Sequence, residues 1–179
     1  MNYLYHMIPL NMQRNVLYPL NDLREIYPKI YKEHKKKYTG REHLLKVEIP
    51  RLNCLWNDVL HLTAVNPINV MNALIESGSK SNFKELHWYK INPRDLVKEN
   101  AIIFLYKDRV NERERRHDLD NFTEFNIPYL SKISKLPLVT QNYYKREITE
   151  GRKPLLFHLV PHILYKGSIN IKNCEVIKL

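Results

Sequence analysis

Eight histidines are spread unevenly along the chain. His6, His61, His158 and His162 stand inside apolar, strand-like runs, whereas His34, His43 and His117 stand among charges and His87 fits either description. A buried imidazole needs a hydrogen-bond partner, because an unpaired buried polar group costs about 1–3 kcal/mol. One such histidine reads as a satisfied core residue. Four in so short a chain point as much to a site that works by imidazole chemistry near neutral pH. The run Asn53-Cys-Leu-Trp-Asn-Asp-Val-Leu-His61 adds amide, carboxylate and indole groups to one of them. On an unbroken strand Asn57, Val59 and His61 share a face, so Asn57 and His61 are expected to line one cleft, with Trp56, Asp58 and Leu60 opposite. His158 and His162 are four apart, and Pro161 between them argues against a helix. His61, His158 and His162 could supply three zinc ligands, yet they lack any standard ligand spacing, and no metal is expected. No GxSxG elbow occurs, neither cysteine has an activating neighbour, and Glu147 and Glu150 fall in what reads as an exposed helix.

The composition sets the class. The chain has 179 residues, 44% hydrophobic and 27% charged, which suits a single folded domain over 1–179. Its 29 Lys and Arg against 19 Asp and Glu give a net charge of +10, which favours polyanionic partners. With four glycines, and neither GxGxxG nor GxxxxGK[ST], the usual dinucleotide and P-loop signatures are absent. Twelve tyrosines offer stacking platforms for unpaired bases or a nicotinamide-like ring. Cys54 and Cys174 are too few for a disulfide framework and read as thiols in a reducing compartment. Neither a membrane-spanning run nor a secretory leader is present, so a cytoplasmic protein without a membrane partner is expected.

The elements that would position these groups can be read in order. Asn2–Ile8 reads as a short buried strand ending at Pro9. Residues 21–37 read as a helix cut by Pro28, followed by a basic stretch, Lys32–Lys46, with six basic and two acidic residues. Cys54–Thr63 reads as a central strand interrupted at Asn57-Asp58. Ile68–Glu76 reads as a helix with Val70, Met71 and Leu74 inward. Strands are expected at Leu86–Ile91 and Ala101–Tyr106, and helix within 127–150. Closely spaced strands follow over Pro154–Tyr165, 168–171 and 174–177. Residues 107–121, KDRVNERERRHDLDN, carry almost no apolar side chain and are expected to be a mobile charged segment or an exposed helix. Strands at both ends with helices between them point to α+β.

The order of these segments resembles that of the ADP-ribosyltransferase superfamily, particularly the DarT-type DNA ADP-ribosyltransferases. Leu4-Tyr5-His6 is similar to the family's opening aromatic-x-His strand. Arg41, in Thr-Gly-Arg-Glu-His, is the best match to its functional arginine. Asn57-Asp-Val-Leu-His-Leu-Thr-Ala-Val-Asn-Pro67 resembles the following strand, and Phe157-His-Leu-Val-Pro-His-Ile-Leu-Tyr-Lys-Gly-Ser-Ile-Asn-Ile171 resembles the closing one. The departure is the catalytic glutamate: none stands in Pro154–Val160, and His158 occupies the nearest position.

The resemblance implies a mixed central sheet split around a cleft and flanked by helices, with NAD as substrate. It implies a toxin-like transferase acting on a macromolecule such as nucleic acid, and an antitoxin or regulatory protein as a further partner. By position, His6 would bind the nicotinamide-side ribose and Arg41 the phosphates or the transition state. Asn57 and His61 would line the cleft, His158 would replace the carboxylate, and Tyr5 or Tyr18 would stack on a ring. Two alternatives need no NAD: a nuclease working through His61, His158 or His162, and a non-catalytic basic module that binds nucleic acid or protein.

Overall fold

In the computed structural model, residues 2–9, 11–12, 14–81, 83, 85–106 and 119–178 are described, so the charged run 107–118 lies outside them. Among the described residues eleven strands and five α-helices follow one another. The strands are β1 (Leu4–Met7), β2 (Val16–Leu17), β3 (Glu48–Ile49), β4 (Cys54–Leu55), β5 (Val59–Leu62), β6 (His87–Ile91), β7 (Ala101–Phe104), β8 (Phe122–Glu124), β9 (His162–Lys166), β10 (Ile169–Asn170) and β11 (Glu175–Lys178). The helices are α1 (Leu23–Ile26), α2 (Pro28–Lys35), α3 (Pro67–Glu76), α4 (Leu130–Ile133) and α5 (Leu138–Thr149).

Two sheets carry the fold. One has the order β1-β6-β11 and the other β5-β9-β7-β8, with the small pairs β10-β2 and β3-β4 beside them. Among the described residues the sheets are bridged once, where Tyr5 and Thr63 exchange backbone hydrogen bonds of 2.8 and 3.1 Å. Every described strand pair is antiparallel, which corrects the mixed sheet expected from the resemblance. The reason is the routing. The segment holding α3 carries the chain from β5 to β6 in the other sheet, and α4 and α5 precede β9, which enters between β5 and β7. Among the described residues no helix therefore joins two neighbouring strands as a parallel crossover would require.

The alternation of side chains divides the interior into three. Leu60, Leu62, Ile103 and Ile163 face one way and pack with Leu4, Ile91, Leu130 and Ile133. Val59, Ile102, Phe104 and Leu164 face the other way, onto Tyr38, Leu44, Ile49 and Trp56 from the segment between α2 and β5. The third cluster sets Tyr5 and Trp88 of the three-stranded sheet against α3 and α5, through Val70, Met71, Leu74 and Tyr144. Those three α3 side chains are the ones whose helical spacing marks them as inward. Asn66 caps the helix by accepting from the Ile68 N–H, and Pro67 fills its first turn.

Local chemistry explains where elements stop. Pro28 begins α2 rather than sitting inside one long helix, since its ring is tolerated only in a first turn. Pro161 sets where β9 begins, so 154–161 is turn and extended backbone where strand is expected from the apolar pattern. Thr63, 4% exposed, ties these pieces together: its hydroxyl donates to the Pro161 carbonyl at 3.3 Å and accepts from the Val65 N–H at 3.1 Å. Thr63→Val keeps the shape and removes both bonds. It is expected to lower unfolding free energy by about 1–3 kcal/mol in urea titration, whereas Thr63→Ser recovers most of the loss. A valine variant as stable as the parent would mean that the hydroxyl does not hold Pro161.

Candidate functional site

The three histidines His6, His61 and His162 lie at the place where the two sheets part. His6 follows the bridge residue Tyr5 on β1, His61 precedes the bridge on β5, and His162 opens β9, the neighbour of β5. Each ring is aimed by a backbone carbonyl. The Nδ1–H of His6 donates to Met7 at 2.7 Å, the Nε2–H of His61 to Trp56 at 3.0 Å, and the Nδ1–H of His162 to Val160 at 2.6 Å. A carbonyl can only accept, so each bond fixes the tautomer of its imidazole.

Aromatic rings hold the pair from β5 and β9 in a closed circuit. His61 packs on Trp56 at 4.7 Å and on His162 at 6.0 Å; His162 meets Tyr106 at 5.8 Å; Tyr106 meets Phe104 at 4.4 Å; and Phe104 returns to Trp56 at 5.5 Å. All five contacts are tilted or edge-on, an arrangement that ring pairs favour. Burial keeps two of the imidazoles, those of His6 and His61, neutral. It is the largest cause of a lowered pKa for His6, pushed down to about 4, and for His61, which lies well below its ordinary value. The neighbouring charges add to this: Lys37 and His34 act on His6, while His162, Lys37 and His6 act on His61.

Lys37 comes from the turn after α2, and its neighbour Arg41 donates from Nη2 to the Lys37 carbonyl at 2.6 Å. Desolvation first, then the charge of Arg41, lowers the Lys37 pKa, although Lys37 keeps contact with solvent. The charge of Lys37 reaches both His6 and His61, and Arg41 stands next to Lys37. Among the described residues no group of three His, Cys, Asp or Glu side chains could hold a metal ion. Nor is any described helix long and apolar enough to cross a membrane.

The structure redistributes the residues singled out in the sequence. His6, His61 and Arg41 fall at or beside the cluster. The ring of His158 stacks on Tyr143 of α5 at 4.2 Å, on the irregular segment before Pro161, and the imidazole facing His61 is that of His162. Adjacent residues of a strand point to opposite faces, so Tyr5 turns away from His6 into the core with Trp88 and Tyr144. Tyr18 packs edge-on to Tyr27 at 6.4 Å beside the second core cluster.

Asn57 does not share the register of His61. The strand breaks at 56–58, and the turn leaves the Asn57 amide 1% exposed with neither its nitrogen nor its oxygen hydrogen-bonded. The same break turns Trp56 onto the face of His61, against the expectation from an unbroken strand. Lys37, Phe104 and Tyr106 carry no motif, whereas Trp56 belongs to the 53–61 run and His162 to the 157–171 stretch, where Pro161 opens its strand.

Comparison of the chain with protein-family models, curated proteins and solved structures returns no match.

The neutral imidazoles predict how stability follows pH. The pKa of His6 is about 4 in the folded chain and about 6.5 when unfolded. Between those values the unfolded state binds more protons, so stability falls as pH drops through that window. His6→Gln removes this term. Its melting temperature should fall less than the parent's between about pH 7 and about pH 5. Equal falls in both proteins would mean that His6 takes up a proton freely when folded.

Proposed function

We propose that the chain is an ADP-ribosyltransferase-like enzyme that takes NAD at the split between its two sheets and modifies a macromolecule. The observation that carries this reading is the convergence of β1, β5 and β9 on one point, each contributing an imidazole beside two basic side chains. The donor set fits such a ligand. With Nδ1–H committed to Met7, His6 has Nε2 to accept a hydrogen bond from a ribose hydroxyl. Lys37 and Arg41 suit a pyrophosphate. Tyr106, tilted toward His162, supplies an aromatic face for a planar ring. The +10 charge favours nucleic acid as the macromolecule.

The chain's own residues would act by placement. Such transfer breaks the bond between the anomeric carbon and the nicotinamide nitrogen, and the cluster orients the ribose for that step. A neutral imidazole can hold a hydroxyl but cannot offer the negative charge a glutamate would give to a developing cation. The geometry suits a nuclease less well. General acid–base cleavage of a phosphodiester calls for an imidazole that titrates near neutral pH, and of the nuclease candidates His61 is held well below it while His158 lies apart against Tyr143.

Millimolar NAD should raise the melting temperature of the protein in a dose-dependent way, because a ligand of the folded state stabilises by mass action. His6→Ala and His162→Ala should each reduce nicotinamide release by about 10²-fold or more while remaining folded by circular dichroism. No thermal shift and no nicotinamide release, together with cofactor-free shortening of RNA or DNA, would replace this reading with the nuclease.

A further inference from the structure

A second concavity lies at one end of the three-stranded sheet and shares no residue with the imidazole cluster. Its volume of about 560 Å³ falls within the range of about 300–1,000 Å³ that takes small organic ligands. Continuing the β1–β6 pairing by one residue sets Tyr3 opposite Asn92, at the end of the sheet where β11 begins. Two turns wall the space. Asn92 caps the turn 93–95 by accepting from the Arg94 N–H at 3.1 Å, and Asn170 accepts from the Lys172 N–H at 3.0 Å in the turn that leads into β11. A backbone N–H can only donate, so each amide is held with its oxygen toward its own turn. Both side chains line the cavity, and the NH2 group is what each has left to offer a ligand.

The charges around the cavity cancel. The Lys90 ammonium lies 2.7 Å from the Glu175 carboxylate and 4.3 Å from the centre of the Tyr3 ring, while Lys172 and Asp95 stand at the exposed edge. Among the described lining residues two lysines thus meet two carboxylates, a balance that does not favour a phosphate. Apolar surface is scarce and comes mainly from Ile169, the Tyr3 ring and the half-buried Cys174. Amide donors beside carboxylate acceptors match a hydroxyl, which donates and accepts through one atom.

We propose that this cavity binds a neutral polyhydroxylated ligand of the size and class of a monosaccharide. Asn92 and Asn170 give N–H groups to its hydroxyl oxygens, and Asp95 and Glu175 accept from its hydroxyl hydrogens. The Lys90–Glu175 pair seated on Tyr3 is a wall already in place, so little ordering is left to be done when the ligand arrives. This binding is independent of NAD.

The test uses the full chain and its own thiols. Cys174 lines the cavity and Cys54, on β4, lies outside it, so one reports on the ligand and the other is the internal control. Alkylation by iodoacetamide is followed at each by mass spectrometry with D-glucose, D-galactose, D-mannose or D-ribose present at millimolar concentration. Calorimetric titration with the same sugars measures affinity without relying on a thiol. At least one sugar should bind and slow alkylation of Cys174 by about threefold or more, the factor reached at about twice its dissociation constant, with Cys54 unchanged. Asn92→Asp and Asn170→Asp keep the oxygen that holds each turn and remove the N–H donors. Each should weaken that sugar about tenfold while the melting temperature stays near the parent's. Binding of none of the four sugars, equal protection of both cysteines, binding of L-serine or inorganic phosphate in place of a sugar, or undiminished affinity in both aspartate variants would each overturn the assignment.

Discussion

The pair of backbone hydrogen bonds between Tyr5 and Thr63 is the joint on which the rest of this fold depends. Strands β1 and β5 are bridged only there among the described residues, and away from the bridge the two sheets are joined by side-chain packing of Leu4 and Ile91 with Leu60, Leu62 and Ile163. His6 is one residue from the joint on β1 and His61 is two residues from it on β5. The third imidazole is indexed to the same point by a side chain: the Thr63 hydroxyl donates to the Pro161 carbonyl, and His162 is the next residue. A site built across three strands and two sheets thus takes its geometry from one residue pair.

Around that joint, packing and polarity work together. The circuit of Trp56, Phe104, Tyr106, His162 and His61 desolvates its histidines while backbone carbonyls satisfy them. A satisfied N–H makes burial tolerable, and burial in turn disfavours the charged form. The outcome at His61, as at His6, is a hydrogen-bonding group with a fixed tautomer and little basicity. Lys37 faces the same cost of desolvation and also sits beside Arg41. Cations held in such company gain most from an anionic ligand that neutralises them.

Much of this arrangement can be read from residue types. The apolar spacing of α3, the break at Pro28, and the strands β1, β6 and β7 follow from periodicity and breakers. Each is a local property, and local patterns survive folding when tertiary packing agrees with them. The site was less legible because it depends on breaks. Asn57 and His61 share a face only if their strand is continuous, and the turn at 56–58 buries one and turns Trp56 toward the other. His158 and His162 look equivalent in an apolar run, yet Pro161 leaves the first on a turn against Tyr143 and the second at the head of β9. Lys37 is one lysine among many in a basic stretch, and only the packing of its turn against the second core cluster distinguishes it.

The charge of the site bears on the proposed transfer. Loss of nicotinamide would develop positive charge at the anomeric carbon, whereas His6 and His61 are held neutral and Lys37 and Arg41 are cations. Such groups by themselves oppose that step. On the proposed reading a pyrophosphate would offset the balance by neutralising Lys37 and Arg41. The negative charge that favours departure would then come with the ligand and not from His6 or His61.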